Sequence, residues 1–123
     1  MLEIDKVSVI YNSSQLFANL SLTIQNQEIV ALTGPSGSGK TTLLRCIAGL
    51  ESIRTGSIRL NGQDITNHPA HLRQIGMVFQ DNQLFPHLTV GQNIAYSLKI
   101  KRVSKKITDQ KVREVLSLVG LNH

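Results

Sequence analysis

The run Gly34-Pro35-Ser36-Gly37-Ser38-Gly39-Lys40-Thr41 matches the spacing G-x-x-x-x-G-K-[ST], which wraps the phosphates of a nucleotide. A backbone that surrounds an anion with its N–H groups must adopt φ values that side chains with a Cβ resist, and Gly37 and Gly39 supply that freedom. Lys40 then brings an ammonium to the β- and γ-phosphates, and the Thr41 hydroxyl is sited to ligate the accompanying Mg²⁺. The flanks fit such a loop. Glu28-Ile29-Val30-Ala31-Leu32-Thr33 reads as a buried strand running in, and Lys40 to Ala48 as a helix running out, with Leu43, Leu44, Ile47 and Ala48 as its apolar face. Gly49 stands where the helix stops, and the helix N-terminus turns its free N–H groups and positive dipole end into the loop.

At 123 residues the chain has the length of one ordinary domain, with apolar and charged fractions typical of a globular protein. Its longest apolar runs, Ile29 to Leu32 and Met77 to Phe79, fall far short of the roughly 18 residues of a spanning helix. The start Met1-Leu2-Glu3-Ile4-Asp5-Lys6 lacks the basic head and apolar stretch of a secretory signal, so a cytosolic chain is expected. Cys46 stands alone, which excludes an internal disulfide and points to a buried structural thiol.

The net charge of +5 is concentrated in residues 99–114, where Lys99, Lys101, Arg102, Lys105, Lys106, Lys111 and Arg113 face only Asp109 and Glu114. The remainder balances, so the excess belongs to one local surface rather than to a groove spread over the fold. Solvation of that surface is the plain reading; nucleic acid or an anionic membrane is the alternative. The segment lacks interleaved aromatic residues for base stacking, and no nucleic-acid partner is expected.

Residues 3–11, with Ile4, Val7 and Val9, and residues 20–25, with Leu20, Leu22 and Ile24, alternate as strands with one buried face. Asn12-Ser13-Ser14 supplies a turn between them. Asn61-Gly62, set between Ile58-Arg59-Leu60 and Gln63-Asp64-Ile65, signals a two-residue hairpin turn. Ile75-Gly76-Met77-Val78-Phe79 reads as a further strand, ending at the polar loop Gln80-Asp81-Asn82-Gln83. From residue 89 strands give way to helices: one capped by Thr89 and running through Leu98, a basic connector, and one from about Thr108 to Val119 ending at Gly120. Val112, Val115, Leu116 and Val119 form the stripe of the second helix. No repeat or low-complexity tract occurs.

These blocks, in this order, resemble the ATP-binding subunits of ABC transporters over almost the whole chain. The strand, phosphate loop and helix look like that family's Walker A region. Gly56 to Ile65 is similar to its hairpin, and Ile75 to Asp81 followed by Leu84-Phe85-Pro86-His87-Leu88-Thr89-Val90 looks like its glutamine loop and the start of its helical subdomain. The expected fold is α/β, a P-loop NTPase core with N-terminal antiparallel strands (residues 1–88) and the start of a helical subdomain (residues 89–123).

The resemblance implies roles residue by residue. Gly34 through Thr42, with Pro35, Ser36, Gly37, Ser38, Gly39, Lys40 and Thr41 between them, bind ATP, and Thr42 falls where the family contacts the α-phosphate. Lys40 and Gln80 take part in catalysis, and Thr41 and Gln80 serve the Mg²⁺. An amide at Gln80 can donate or accept and swing without a change of charge. Tyr11 falls where the family stacks a ring on adenine, although an aromatic at a strand end also serves as packing. Leu84 to Val90 lies where the family meets a membrane partner, so Phe85, Pro86 and Leu88 are expected to be exposed.

The implied partners are transmembrane permease subunits and a second ATP-binding subunit in a homodimer, at the cytoplasmic face of the inner membrane. The Phe79-Gln80 and Leu84–Val90 blocks look like importers of ions or small solutes, and Asn93-Ile94-Ala95-Tyr96 leans toward ferric-iron importers.

Two departures matter. Gln27 stands where the family has Gly before the Glu that opens the loop strand, so that turn is expected to differ. Residues 1–123 also carry no Leu-Ser-Gly-Gly-Gln signature, no strand ending in Asp-Glu, and no switch histidine among His68, His71, His87 and His123. The expectations are a truncated domain that binds ATP weakly and hydrolyses it negligibly by itself, with strands left unpaired. The alternatives are a non-catalytic or regulatory truncation product and another P-loop NTPase. The N-x-x-D spacing of Asn61 and Asp64 is better read as hairpin turn chemistry than as guanine recognition.

Overall fold

The computed structural model describes residues 1–121. Asn122 and His123, the latter among the histidines weighed above, lie outside the described residues. The chain divides into two compact units, Met1–Val78 and Phe79–His123.

The first unit is built on four antiparallel strands, β1 (Leu2–Tyr11), β2 (Ser14–Ile24), β3 (Thr55–Leu60) and β4 (Gln63–Asp64), in the order β2-β1-β3-β4. Both hairpins close on two residues in left-handed backbone, Asn12 and Ser13 at φ 48° and 64°, and Asn61 and Gly62 at φ 51° and 81°. That backbone matches the right-handed twist of the flanking strands, which is why Asn and Gly stand there. The buried apolar residues of β1 reach one core. Ile4, Val7 and Val9 pack with Ile58 and Ile65 against Leu43, Cys46 and Ile47 of helix α1 (Lys40–Ala48).

Helix α1 occupies the bounds expected for it, and Gly49 ends it at φ 83°. Its buried face differs by one residue. Leu43, Cys46 and Ile47 follow the i, i+3, i+4 stripe and are buried, whereas Leu44 turns off that stripe and is 49% exposed.

Two expected strands do not form. Residues 28–33 and 75–79 join no ladder among the described residues, and Ile29 and Val78 are each 98% exposed. A run apolar on both faces belongs inside a parallel sheet, and this antiparallel sheet offers it no parallel neighbour. Without a neighbour, the backbone hydrogen bonds that define a strand have no partner.

The second unit pairs α2 (Val90–Ile100) with α3 (Lys105–Leu118). Thr89 opens α2 with a full capping box: its hydroxyl accepts from the Gln92 N–H, and the Gln92 side chain accepts from the Thr89 N–H at 2.8 Å. Gly91 faces α3, where a Cβ would make an ordinary contact with Val112 at 3.6 Å. α2 runs to Ile100 rather than ending at Leu98, since no Gly or Pro stops it there. α3 begins at Lys105 rather than Thr108, because the Ser104 carbonyl already accepts from the Thr108 N–H at 2.9 Å. Thr108 is buried on its inner face, whereas Val115 and Val119 of the expected stripe are exposed.

Candidate functional site

The phosphate loop ends on Gly39, which caps α1 at φ 91°, and Gly37 sits at φ 78°. Both values lie where a Cβ is strained, as the glycine spacing anticipates. No side chain caps α1. The first N–H groups of a helix have no intrahelical acceptor, so those at Lys40, Thr41 and Thr42 stay free to donate at the positive dipole end.

Lys40 folds over the loop. Its Nζ donates to the carbonyls of Gly34 at 2.7 Å and Pro35 at 2.6 Å, with the Ser38 Oγ at 3.3 Å. The turn beneath it is held by Ser38, whose N–H and hydroxyl both donate to the Pro35 carbonyl. The ammonium is therefore already held over the loop, with three oxygens as acceptors that a phosphate can replace. Nothing lies within 4 Å of a Cβ built on Gly37, so that side of the cradle is open. Ser36 and Thr41 are exposed and Thr42 is half-buried.

Gly39 is crowded from below. A Cβ there would stand 3.0 Å from the Phe17 ring and 3.2 Å from the Leu16 side chain. Consecutive strand residues normally point to opposite faces, but the β1–β2 register shifts between the pairs Val9↔Phe17 and Ile10↔Gln15, leaving Leu16 as the extra residue. The bulge brings both side chains against the loop. Sequence reasoning missed this wall, because register is a property of two strands and neither shows it alone.

Tyr11 is 51% exposed at the end of β1, next to the hairpin turn and one alternation beyond the buried Val9. Gln80 is exposed and belongs to the second unit. The loop residues Gly34 to Thr42 are brought together with α1; the role of Gln80 beside them rests on the resemblance alone.

The residues fit a triphosphate: free N–H groups, one ammonium, an open glycine face and a helix N-terminus converge. For a Mg²⁺ the exposed Thr41 hydroxyl is an accessible oxygen at the helix start, which suits an ion that takes most of its ligands from phosphate and water. Among the described residues no group of three or more His, Cys, Asp or Glu side chains gathers to hold a metal.

Beneath the site, Cys46 is fully buried, and burial pushes its thiol pKa up, aided by Glu51 and opposed by Arg73 and Arg45. The expected structural thiol is what the core contains. In the second unit, Asn93 organises the loop before α2. Its Oδ1 accepts from the Phe85 N–H at 2.9 Å, and its Nδ2 donates to the carbonyls of Phe85, Leu88 and Thr89. Phe85 lies 4.4 Å from the Tyr96 ring, centroid to centroid, and is 39% exposed; Pro86 is exposed and Leu88 half-buried. No helix among the described residues is long and apolar enough to cross a membrane.

Comparison with known proteins gives the site a context. The family description "ABC transporter" matches residues 17–123. The chain is 50% identical to the sulfate/thiosulfate import ATP-binding protein CysA of Halalkalibacterium halodurans, an alignment covering 96% of this chain and 34% of the relative. It is 45% identical to the spermidine/putrescine import ATP-binding protein PotA of Thermotoga maritima, over 96% of this chain and 32% of that one. It is 46% identical to the Fe(3+) ions import ATP-binding protein FbpC 2 of Pectobacterium atrosepticum, over 98% and 35%. The chain thus spans about a third of the length of the curated relatives it matches. Among solved structures, the ATP-binding cassette MJ0796, a dimer in a post-hydrolysis state bound to ADP and Pi, superposes with a TM-score of 0.82 at 28% identity, covering 95% of this chain and 56% of that one.

Proposed function

This chain belongs to the ABC transporter family, and from that premise we propose that residues 1–123 form the phosphate-gripping part of an ATP-binding subunit that powers solute import. One observation carries the reading. The Lys40 ammonium is held over the carbonyls of Gly34 and Pro35 at the mouth of α1, where free N–H groups and a helix dipole already favour an anion.

ATP with Mg²⁺ supplies the phosphoryl chemistry when bound. The loop residues Gly34 to Gly39 cradle the phosphates, Lys40 neutralises the outer ones, Thr41 offers its hydroxyl to the metal, and Thr42 serves the α-phosphate. Tyr11 stacks on the base from the end of β1. Gln80 completes the metal and water side, and residues 89–123 begin the helical subdomain that follows the core. Hydrolysis needs a group that positions the water, and in this reading Gln80 stands on that side.

The named functions of the relatives, import of sulfate or thiosulfate, polyamines and ferric iron, support an importer of ions or small solutes. They support the ferric-iron leaning no more than the other two cargoes. Permease subunits at the cytoplasmic face of the membrane and a second copy of the subunit are the partners this reading requires, and the dimeric cassette supports the latter.

The test is a titration with Mg²⁺ and ATP. Lys40→Ala removes a charge-assisted contact of about 1.5–3 kcal/mol, so affinity is expected to fall by about 10- to 100-fold. Parent protein with no Mg²⁺-dependent affinity for any nucleoside triphosphate would end the proposal.

A further inference from the structure

Arg73 is a cation in the interior. It is 4% exposed, and among the described residues no carboxylate pairs with it. Its guanidinium is instead spent on backbone carbonyls. Nη1 donates to Cys46 at 2.8 Å and Ile47 at 3.1 Å, Nη2 to Thr66 at 2.7 Å, and Nε to His68 at 2.7 Å. Two acceptors belong to the last turn of α1 and two to the connection after β4, so one rigid fork joins both. The fit is tight: a Cβ on Gly49 would stand 2.6 Å from the Arg73 Nε.

Helix α1 is only nine residues long. Its N-terminal N–H groups face the phosphate loop, and its C-terminal carbonyls are the negative end of the same dipole. A buried charge at that end acts in two ways. It neutralises the negative pole, which leaves the positive pole at the loop less opposed. The planar fork also fixes where the last turn sits, and a short helix with its last turn fixed has its first turn fixed as well. A lysine could keep the charge but not the fork.

We propose that Arg73 is a positioning residue for nucleotide binding, acting through α1 to hold the phosphate loop in its anion-receiving geometry. The inference rests on the nucleotide reading above and adds a residue remote from the loop. Arg73 also starts the segment that runs on to Gln80 along the chain, so nucleotide at one end of α1 and the residues 66–73 at the other are expected to feel each other. Binding free energies are reciprocal, so the coupling must be visible from both sides.

The first measurement uses the full-length protein and two variants, Arg73→Lys and Arg73→Ala, with Mg²⁺ and ATP titrated calorimetrically to separate affinity from stoichiometry. A purely structural role lowers the fraction of competent molecules and leaves the affinity of the rest unchanged. The proposal expects Kd to rise by about five- to tenfold at parent-like stoichiometry in Arg73→Lys. Millimolar guanidinium is expected to restore the Kd of Arg73→Ala by refilling the fork's place. Unchanged Kd in folded Arg73→Lys would overturn it.

The second measurement needs no variant. In the parent, the N–H groups of His68, Leu72 and Arg73 donate within their own turn, to Ile65, Pro69 and Ala70. Saturating Mg²⁺ and ATP is expected to slow their hydrogen exchange along with that of α1. Protection confined to the loop and α1 would equally refute the coupling. Parent protein that binds no nucleotide is a different outcome, and it removes the underlying reading rather than Arg73 alone.

Discussion

At the scale of single residues, backbone sign decides more than side-chain identity. Gln27 sits at φ 63°, the left-handed region, in the turn where the Gln25 carbonyl accepts from the Glu28 N–H at 3.3 Å. Gln27 stands where the family has glycine. A residue with a Cβ is strained there by about 1–2 kcal/mol, and the extra entropy glycine loses on folding offsets part of the gain. Gln27→Gly is therefore expected to stabilise the protein by about 0.5–1 kcal/mol, read as a rise in urea midpoint with unchanged slope. A fall in midpoint would show that the Gln27 side chain contributes more than its backbone costs. The residues of the phosphate loop were legible for the same reason, because a glycine at a positive φ is a local requirement. Arg73 was not legible. Its acceptors are carbonyls that every residue owns, so no pattern of side chains announces them.

At the scale of elements, ends were easier to read than partners. The Thr89 cap and the Asn61-Gly62 turn are contacts between near neighbours, and both stand where the sequence places them. Thr89→Ala deletes one half of the capping box, at about 1 kcal/mol. The Gln92 and Asn93 amides, which bond to the Thr89 hydroxyl and carbonyl, should then exchange severalfold faster while α1 is unaffected; equal rates in parent and variant would mean that the box adds nothing.

The β3–β4 hairpin carries a pH signature. Hydrogen bonds from Thr66, the side chain first and then the backbone, hold the Asp64 carboxyl below its usual range, with smaller help from Arg59 and His68. A carboxylate depressed by folding adds stability that is complete above its unfolded pKa. That contribution is lost as pH falls through the lower folded value. Asp64→Asn should flatten this acid-side loss in a series of urea midpoints below about pH 4. Parallel pH profiles for parent and variant would contradict the assignment.

At the scale of the molecule, the apolar runs at residues 28–33 and 75–79 carry strand composition without a strand's neighbours. Residues 28–33 and 75–78 belong to the first unit, and Ile29 and Val78 lie almost wholly open. Exposed apolar segments of high β-propensity are templates for self-association. Replacing Ile29 and Val78 with threonine should lower the light scattering of the 123-residue chain, with folding stability kept within about 0.5 kcal/mol. Scattering that stays the same would place the sticky surface elsewhere.

The sequence by itself determined the local pieces: the glycine-lined loop with its lysine, the bounds of α1, two hairpin turns and a capped helix. Each depends on φ preferences, short-range hydrogen bonds or helical periodicity, which act over a few residues. Tertiary structure alone decided which runs pair, that a bulge sets Leu16 and Phe17 under Gly39, and that Arg73 clamps the far end of α1. Those outcomes depend on atoms brought together from distant parts of the chain, where no residue carries the information without its neighbour.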